Sequence, residues 1–145
     1  MTTVSRILRA ARNSSDPRHC PDRGDVIAVD VDPQAGHEQA GKRPALVLTP
    51  RRYNQATRLC ILCPVTGRVK GYPFEVAVPG GLALPGGLAL VDADATRDGA
   101  LRGVVLADQA KNVPWLARGA VFLCRAPQTL LDEVGAKLGA LLHLA

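Results

Sequence analysis

Short β-rich runs, each broken within a few residues by glycine, proline or an Asp-Pro pair, constrain this chain more than any other feature. Residues 26–31 alternate and are rich in β-branched side chains, and Asp32-Pro33 ends the run. Residues 34–43 are mostly polar, hold Gly36 and Gly41, and read as a loop. Residues 44–49 form the next strand, bounded by Pro50. Runs at 59–65, 74–78, 103–106 and 120–124 follow. Many short strands joined by turns predict a small, compact barrel. Only the end of the chain has another period. Leu130, Val134, Leu138 and Leu141 recur at helical spacing, and Thr129 with Asp132 has the form of a capping box. Residues 129–144 are therefore expected to be an amphipathic helix packed on the barrel, despite Gly135 and Gly139. The class is mainly β with one helix.

With 145 residues the chain supports one core, not two. Residues 1–22 read as an N-terminal extension and 23–145 as a single domain with an insertion at about 80–102. Within the extension, Val4, Ile7, Leu8 and Ala11 stand at helical intervals in a basic segment without acids. A transit peptide would look similar, but a short extra helix or a mispredicted start is the expected reading. Arg23-Gly24-Asp25 is expected to be a turn entering the first strand rather than an adhesion motif. No run approaches the length that crosses a membrane, and the chain is expected to be cytoplasmic.

Hydrophobic residues are 47% and charged residues 21% of the chain, which excludes a disordered polypeptide. Aromatics are only 3%, so Val, Leu, Ile and Ala must build the core. That scarcity counts against a stacking platform of the kind that holds bases with several exposed rings. The net charge of +5 suits a polyanionic partner without choosing one. Cys60 and Cys63 form a C-x-x-C in a run that reads as a strand, where residues three apart point to opposite faces. They cannot converge on one ion, and no second pair completes a tetrahedral site. They are expected to be core residues in a reducing compartment, and no metal or other cofactor is expected.

The segment 79–84 reads PGGLAL and 85–90 repeats it letter for letter. Glycine and proline at this density predict a long loop or an extended hairpin tip. It offers little to a core and is expected to be dispensable for folding. Asp92, Asp94 and Asp98 lack the closing glutamate of a calcium loop.

The decisive segments are Gly24-Asp25-Val26-Ile27, Asp32-Pro33, the stretch from Gly36 through Glu38-Gln39-Ala40-Gly41-Lys42-Arg43-Pro44, and Pro64-Val65-Thr66. Lys70-Gly71-Tyr72-Pro73-Phe74-Glu75-Val76, Leu106-Ala107-Asp108-Gln109 and Ala117-Arg118-Gly119 continue the series. In this order and spacing they closely resemble the MazF/PemK/Kid family of toxins, the mRNA interferases of type II toxin–antitoxin systems. The resemblance runs from Gly24 to the C-terminal helix, omitting about Gly80 to Arg102. It implies an SH3-like barrel of the CcdB/PemK type and a homodimer. It also implies sequence-specific endoribonuclease activity on single-stranded RNA, including mRNA, silenced by a MazE-like antitoxin.

By that resemblance Arg43 matches the family's catalytic arginine and Thr66 its catalytic threonine. Metal-free RNA cleavage uses the 2′-OH against the adjacent phosphate and leaves a 2′,3′-cyclic phosphate and a 5′-OH. It needs a base, an acid for the leaving oxygen, and positive charge on the crowded phosphorane. The Arg43 guanidinium can give two hydrogen bonds and a fixed charge to a phosphate, and the Thr66 hydroxyl can donate to a phosphoryl oxygen. Arginine is a poor base, so Glu38 and His37, in the same loop, are the candidates for that role. In the Kid branch the His37 and Asp108 positions are functional, but the accompanying arginine falls at Leu106, so that set is incomplete. Lys42, Gln39, Arg68, Lys70, Asp108 and Gln109 are the candidate RNA-binding residues, with cations tracking the backbone.

Two rivals remain at this point. A gyrase-poisoning toxin of the CcdB type would share the fold, but that mode relies on a C-terminal tryptophan, whereas this chain ends Leu142-His143-Leu144-Ala145. A catalytically inactive barrel that only binds a partner is the other.

Overall fold

The computed structural model describes residues 19–30, 41–80, 82–84 and 95–144. Among these residues ten strands and two helices follow in chain order. They are β1 (Asp25–Asp30), β2 (Lys42–Val47), α1 (Arg51–Thr57), β3 (Cys60–Thr66), β4 (Glu75–Ala77) and β5 (Leu82–Ala83). Then come β6 (Thr96–Arg97), β7 (Ala100–Leu101), β8 (Val104–Leu106), β9 (Lys111–Val113), β10 (Val121–Arg125) and α2 (Gln128–Leu141). The main sheet has the order β10-β1-β2-β3-β8-β4, with β9 also paired to β3, and β5-β7-β6 form a small second sheet. The hydrogen-bonded path is open at β10 and β4 rather than closed into a ring.

The apolar runs are dense because the sheet is covered on both faces. Val26 and Ala28 of β1, Leu46 of β2, and Cys63 and Val65 of β3 belong to one core cluster. Their strand neighbours Ile27, Val29, Ala45, Val47, Cys60 and Leu62 belong to a second. Alternation along these strands is thus between two cores, not between core and water. Helix α2 covers the first face with Leu130, Leu131 and Val134. Burial of such side chains stabilises by about 1.5–3 kcal/mol each. Trp115, Val113 and Ala120 close the second face.

Cys60 and Cys63 fall in different clusters, as strand geometry requires, and both are free thiols. Burial pushes the Cys60 thiol up to about 12 and that of Cys63 to about 11.

Strand β3 is shared. One edge pairs with β2, while the other pairs with β9 at Cys60–Leu62 and with β8 at Val65–Thr66. Pro64, which has no N–H to donate, stands where that second edge changes partner. The approach of β8 is possible only with glycine at its start. Gly103 has φ +105°, and a Cβ there would lie 2.1 Å from the Thr66 carbonyl oxygen.

Helix α1 was not legible from apolar periodicity, since its one buried side chain is Asn54. The Asn54 amide donates to the carbonyls of Pro21 and Thr49, both at 2.9 Å, and its Oδ1 accepts the Thr49 hydroxyl at 2.6 Å. The Thr49 hydroxyl oxygen in turn accepts the Ile61 N–H at 3.0 Å, and the Asn54 carbonyl accepts Trp115 Nε1 at 2.9 Å. The link to Pro21 extends the folded unit before Arg23, and the His19 ring meets Phe122 edge-on at 5.7 Å. The Arg23-Gly24-Asp25 segment is a turn, as expected. Buried Asp25 accepts Arg125 and the Asp22 N–H, each at 2.8 Å.

Two expectations for helix α2 need correction. No capping box forms at α2. Pro127 is its N-cap without a side-chain bond, and Asp132 Oδ1 accepts Gln128 Nε2 at 2.8 Å instead. The helix also ends at Leu141, with Leu142 as its C-cap.

The insertion is not external to the core. Ala95 and Leu101 are buried at 0% and 1% exposure in the first cluster, with Leu82 and Leu84 packed against it. Glycine and proline density hid the few apolar residues that anchor it.

Leu101→Ala is therefore expected to lower the unfolding free energy by about 2–5 kcal/mol, as for other buried leucines, measured by urea denaturation. Asn54→Ala, which leaves the Pro21 and Thr49 carbonyls without their donor, is expected to cost about 3 kcal/mol in the same titration. A midpoint unchanged from the wild-type chain would contradict either assignment.

Candidate nucleic-acid interface

Successive residues of a strand face opposite ways, and β2 uses this at its first two positions. Lys42 Nζ donates to Asp30 Oδ1 at 2.9 Å and to the Gly119 carbonyl at 2.7 Å. Arg43 points the other way, into a cleft of about 310 Å³. Arg43 is exposed, and no hydrogen bond or ion pair engages its guanidinium among the described residues. Lys42 thus fastens the base of the β1–β2 connection and is not part of the cleft, contrary to expectation.

Thr66, the last residue of β3, lines the same cleft, and its hydroxyl oxygen accepts the Arg68 N–H at 3.1 Å. That bond turns the chain out of the strand and brings Arg68 and Lys70 to the rim. Gln109 also lines the cleft, from the turn after β8, where its N–H donates to the Leu106 carbonyl. Asp108 beside it is exposed and does not line the cleft. His37, Glu38 and Gln39 lie outside the described residues.

Sequence reasoning did not single out Tyr72, Glu75, Leu106 and Lys111 as site residues, yet all four line the cleft. Lys111 was missed because β9 is only three residues long and shows no period. Glu75 was missed because its role is local. Its two carboxylate oxygens accept the Lys70 and Gly71 N–H groups at 3.0 and 2.9 Å. The carboxylate is thus engaged by the loop backbone, while Arg43, Arg68, Lys70 and Lys111 provide four cations around the cleft. Such a cluster favours a polyanion. Among the described residues no three His, Cys, Asp or Glu side chains are grouped to hold a metal ion, and no helix is long and apolar enough to cross a membrane.

The comparisons agree with this architecture. The model for PemK-like, MazF-like toxins of type II toxin–antitoxin systems matches residues 22–142. The endoribonuclease toxin MazF of Escherichia coli K12 is 42% identical over 125 residues, covering 86% of this chain and 96% of the relative. Endoribonuclease PemK of Escherichia coli is 36% identical over 136 residues, with 92% and 88% covered. In a MazE–MazF crystal structure from Deinococcus radiodurans, one chain matches with TM-score 0.72 and 44% identity over 88% of this chain and 99% of that one. MazF of the same organism gives 0.68 and 45%, with 86% and 98% covered. The open sheet with its C-terminal helix is the SH3-like fold of these MazF structures. The chain belongs to the family of PemK-like, MazF-like toxins of type II toxin–antitoxin systems.

Proposed function

We propose that this chain is an endoribonuclease toxin that cuts single-stranded RNA in the Arg43–Thr66 cleft without a metal ion. The observation that carries the reading is the cleft itself, where the end of β3 and the start of β2 bring a hydroxyl and a guanidinium together among further cations. The named activities of the MazF and PemK relatives support it.

In this scheme the substrate 2′-OH attacks the adjacent phosphorus and the 5′-oxygen leaves. Arg43 holds the phosphorane through two N–H groups, and the Thr66 hydroxyl donates to a phosphoryl oxygen. Arg68, Lys70 and Lys111 hold neighbouring phosphates. Glu38 and His37 compete for the role of base. The pH–rate profiles of Glu38→Gln and His37→Gln assign it, since removal of the base abolishes the acidic limb.

The chain acts as a homodimer in the bacterial cytoplasm, with RNA along the subunit interface. Its restraint is an acidic, MazE-like antitoxin segment that enters the same cations and excludes substrate.

Cleavage is expected to proceed undiminished in EDTA and to leave a 2′,3′-cyclic phosphate and a 5′-OH. A substrate with 2′-deoxyribose at the scissile position should resist. Arg43→Ala should slow cleavage about a hundredfold or more, the scale of losing one charge-stabilising donor. Arg43→Lys should restore little, because an ammonium cannot make the forked contact. Thr66→Ala should lose less. Efficient cutting of the 2′-deoxy substrate would overturn the scheme. Growth inhibition without any RNA cleavage would favour the gyrase-directed mode instead.

A further inference from the structure

The five aromatic residues of the chain are all described, and four of them are at least partly buried. Trp115 lies in the core at 1% exposure, Phe122 packs on His19, Tyr53 takes the Asn112 amide on its hydroxyl, and Phe74 is half-buried. Tyr72 is the exception. It is 57% exposed and stands on the wall of the cleft that holds Arg43 and Thr66.

Its backbone is fixed from both sides. Gly71 has φ +84°, and Pro73 locks its own φ. The Glu75 carboxylate holds the Lys70 and Gly71 N–H groups, and the Glu75 N–H donates back to the Tyr72 carbonyl at 3.1 Å. From helix α2, Lys137 Nζ donates to the Pro73 carbonyl at 2.6 Å and to the Glu75 carbonyl at 3.1 Å. Five hydrogen bonds thus brace the segment 70–75, in which the Tyr72 side chain is left in water. The Lys70 ammonium lies over the ring at 5.7 Å from its centroid, so a cation stands beside the ring.

We propose that Tyr72 is a base-stacking residue, which holds one nucleobase of the single-stranded substrate against its ring while Lys70 holds an adjoining phosphate. The inference rests on the RNA-cleaving function proposed above and adds to it the subsite that grips a base. A ring carried on a braced loop gives up little freedom when a base settles on it. Stacking on it is tolerant of base identity, because every base has a π-face.

The test uses the full-length chain and a short oligoribonucleotide that it cuts, together with a series carrying one abasic ribose at each position around the scissile phosphate. KM and kcat are measured for cleavage. Kd is measured on the same series with 2′-deoxyribose at the scissile position, so that binding is read without turnover. Tyr72→Ala and Tyr72→Leu are expected to raise KM and Kd about 10- to 100-fold, the scale of losing one stacked base, with a smaller change in kcat. Tyr72→Phe keeps the wild-type values. At one abasic position the wild-type chain should lose the same factor, and Tyr72→Ala should add nothing further.

Recovery by Tyr72→Leu, or an equal penalty from Tyr72→Ala at every abasic position, would overturn stacking. So would unchanged KM and Kd combined with a weakened dimer in light scattering, which would make Tyr72 a protein contact. A wild-type chain that binds the oligonucleotides without cutting them overturns the cleavage reading alone, and Kd still decides Tyr72. A chain that neither binds nor cuts overturns both.

Discussion

Strand β3 is the constraint on which the remaining elements depend. It is buried on both faces and pairs with β2, β9 and β8, so a shift of its register would displace both cores and both edges together. Its two ends are fixed differently. At the start, Thr49 takes the Ile61 N–H and is itself held by Asn54, which ties helix α1, Pro21 and Trp115 into one buried polar network. Each of those groups would be costly to bury unpaired, and mutual satisfaction makes the network specific as well as stabilising. At the far end, Thr66 emerges from this rigid frame directly into the cleft. Under the function proposed above, a hydroxyl that meets a phosphate gains from being carried on a strand rather than on a free loop.

The cleft divides its charges between rigid and braced supports. Arg43 comes from β2, Lys111 from β9, and Arg68 and Lys70 from the turn that follows β3. Glu75 lies among them, yet its oxygens face backbone N–H groups, so it fastens the turn that carries Lys70. Lys42 does the reverse on the other side of β2, spending its charge on Asp30 and Gly119. Neighbouring residues of one strand therefore serve opposite ends, one structural and one facing the cleft.

Much of this was legible in the sequence. Hydrophobic runs gave the six principal strands, and helical spacing gave α2, because those patterns report burial directly. What was lost has a physical pattern. Helix α1 packs through an asparagine, β9 is too short for any period, and the expected capping pair of α2 does not form, Asp132 accepting Gln128 instead. The insertion hid Ala95 and Leu101 behind glycine and proline. Arg43 and Thr66, singled out by motif and spacing, both line the cleft, whereas Lys42 was read as part of a loop and is the first residue of β2, turned to Asp30 and Gly119. Glu75 and Tyr72 stand inside a segment that the motif marked, but its letters do not say that Glu75 fastens the loop backbone or that Tyr72 is left exposed on the cleft wall. The scarcity of aromatics argued against a platform of several rings; it carries no information about where a single ring stands.

The close approach of Gly103 to the Thr66 carbonyl limits how this fold can tolerate changes of length. Residue 103 is pinned against β3 by backbone contact, so every path returning from the insertion has to re-enter the sheet at that point. Added or deleted residues have to fall upstream of it, outside the core-packed Leu82, Leu84, Ala95 and Leu101. Growth of the insertion is thereby uncoupled from the strand that carries Thr66. The segment can lengthen by whole repeats while the hydroxyl in the cleft keeps its place.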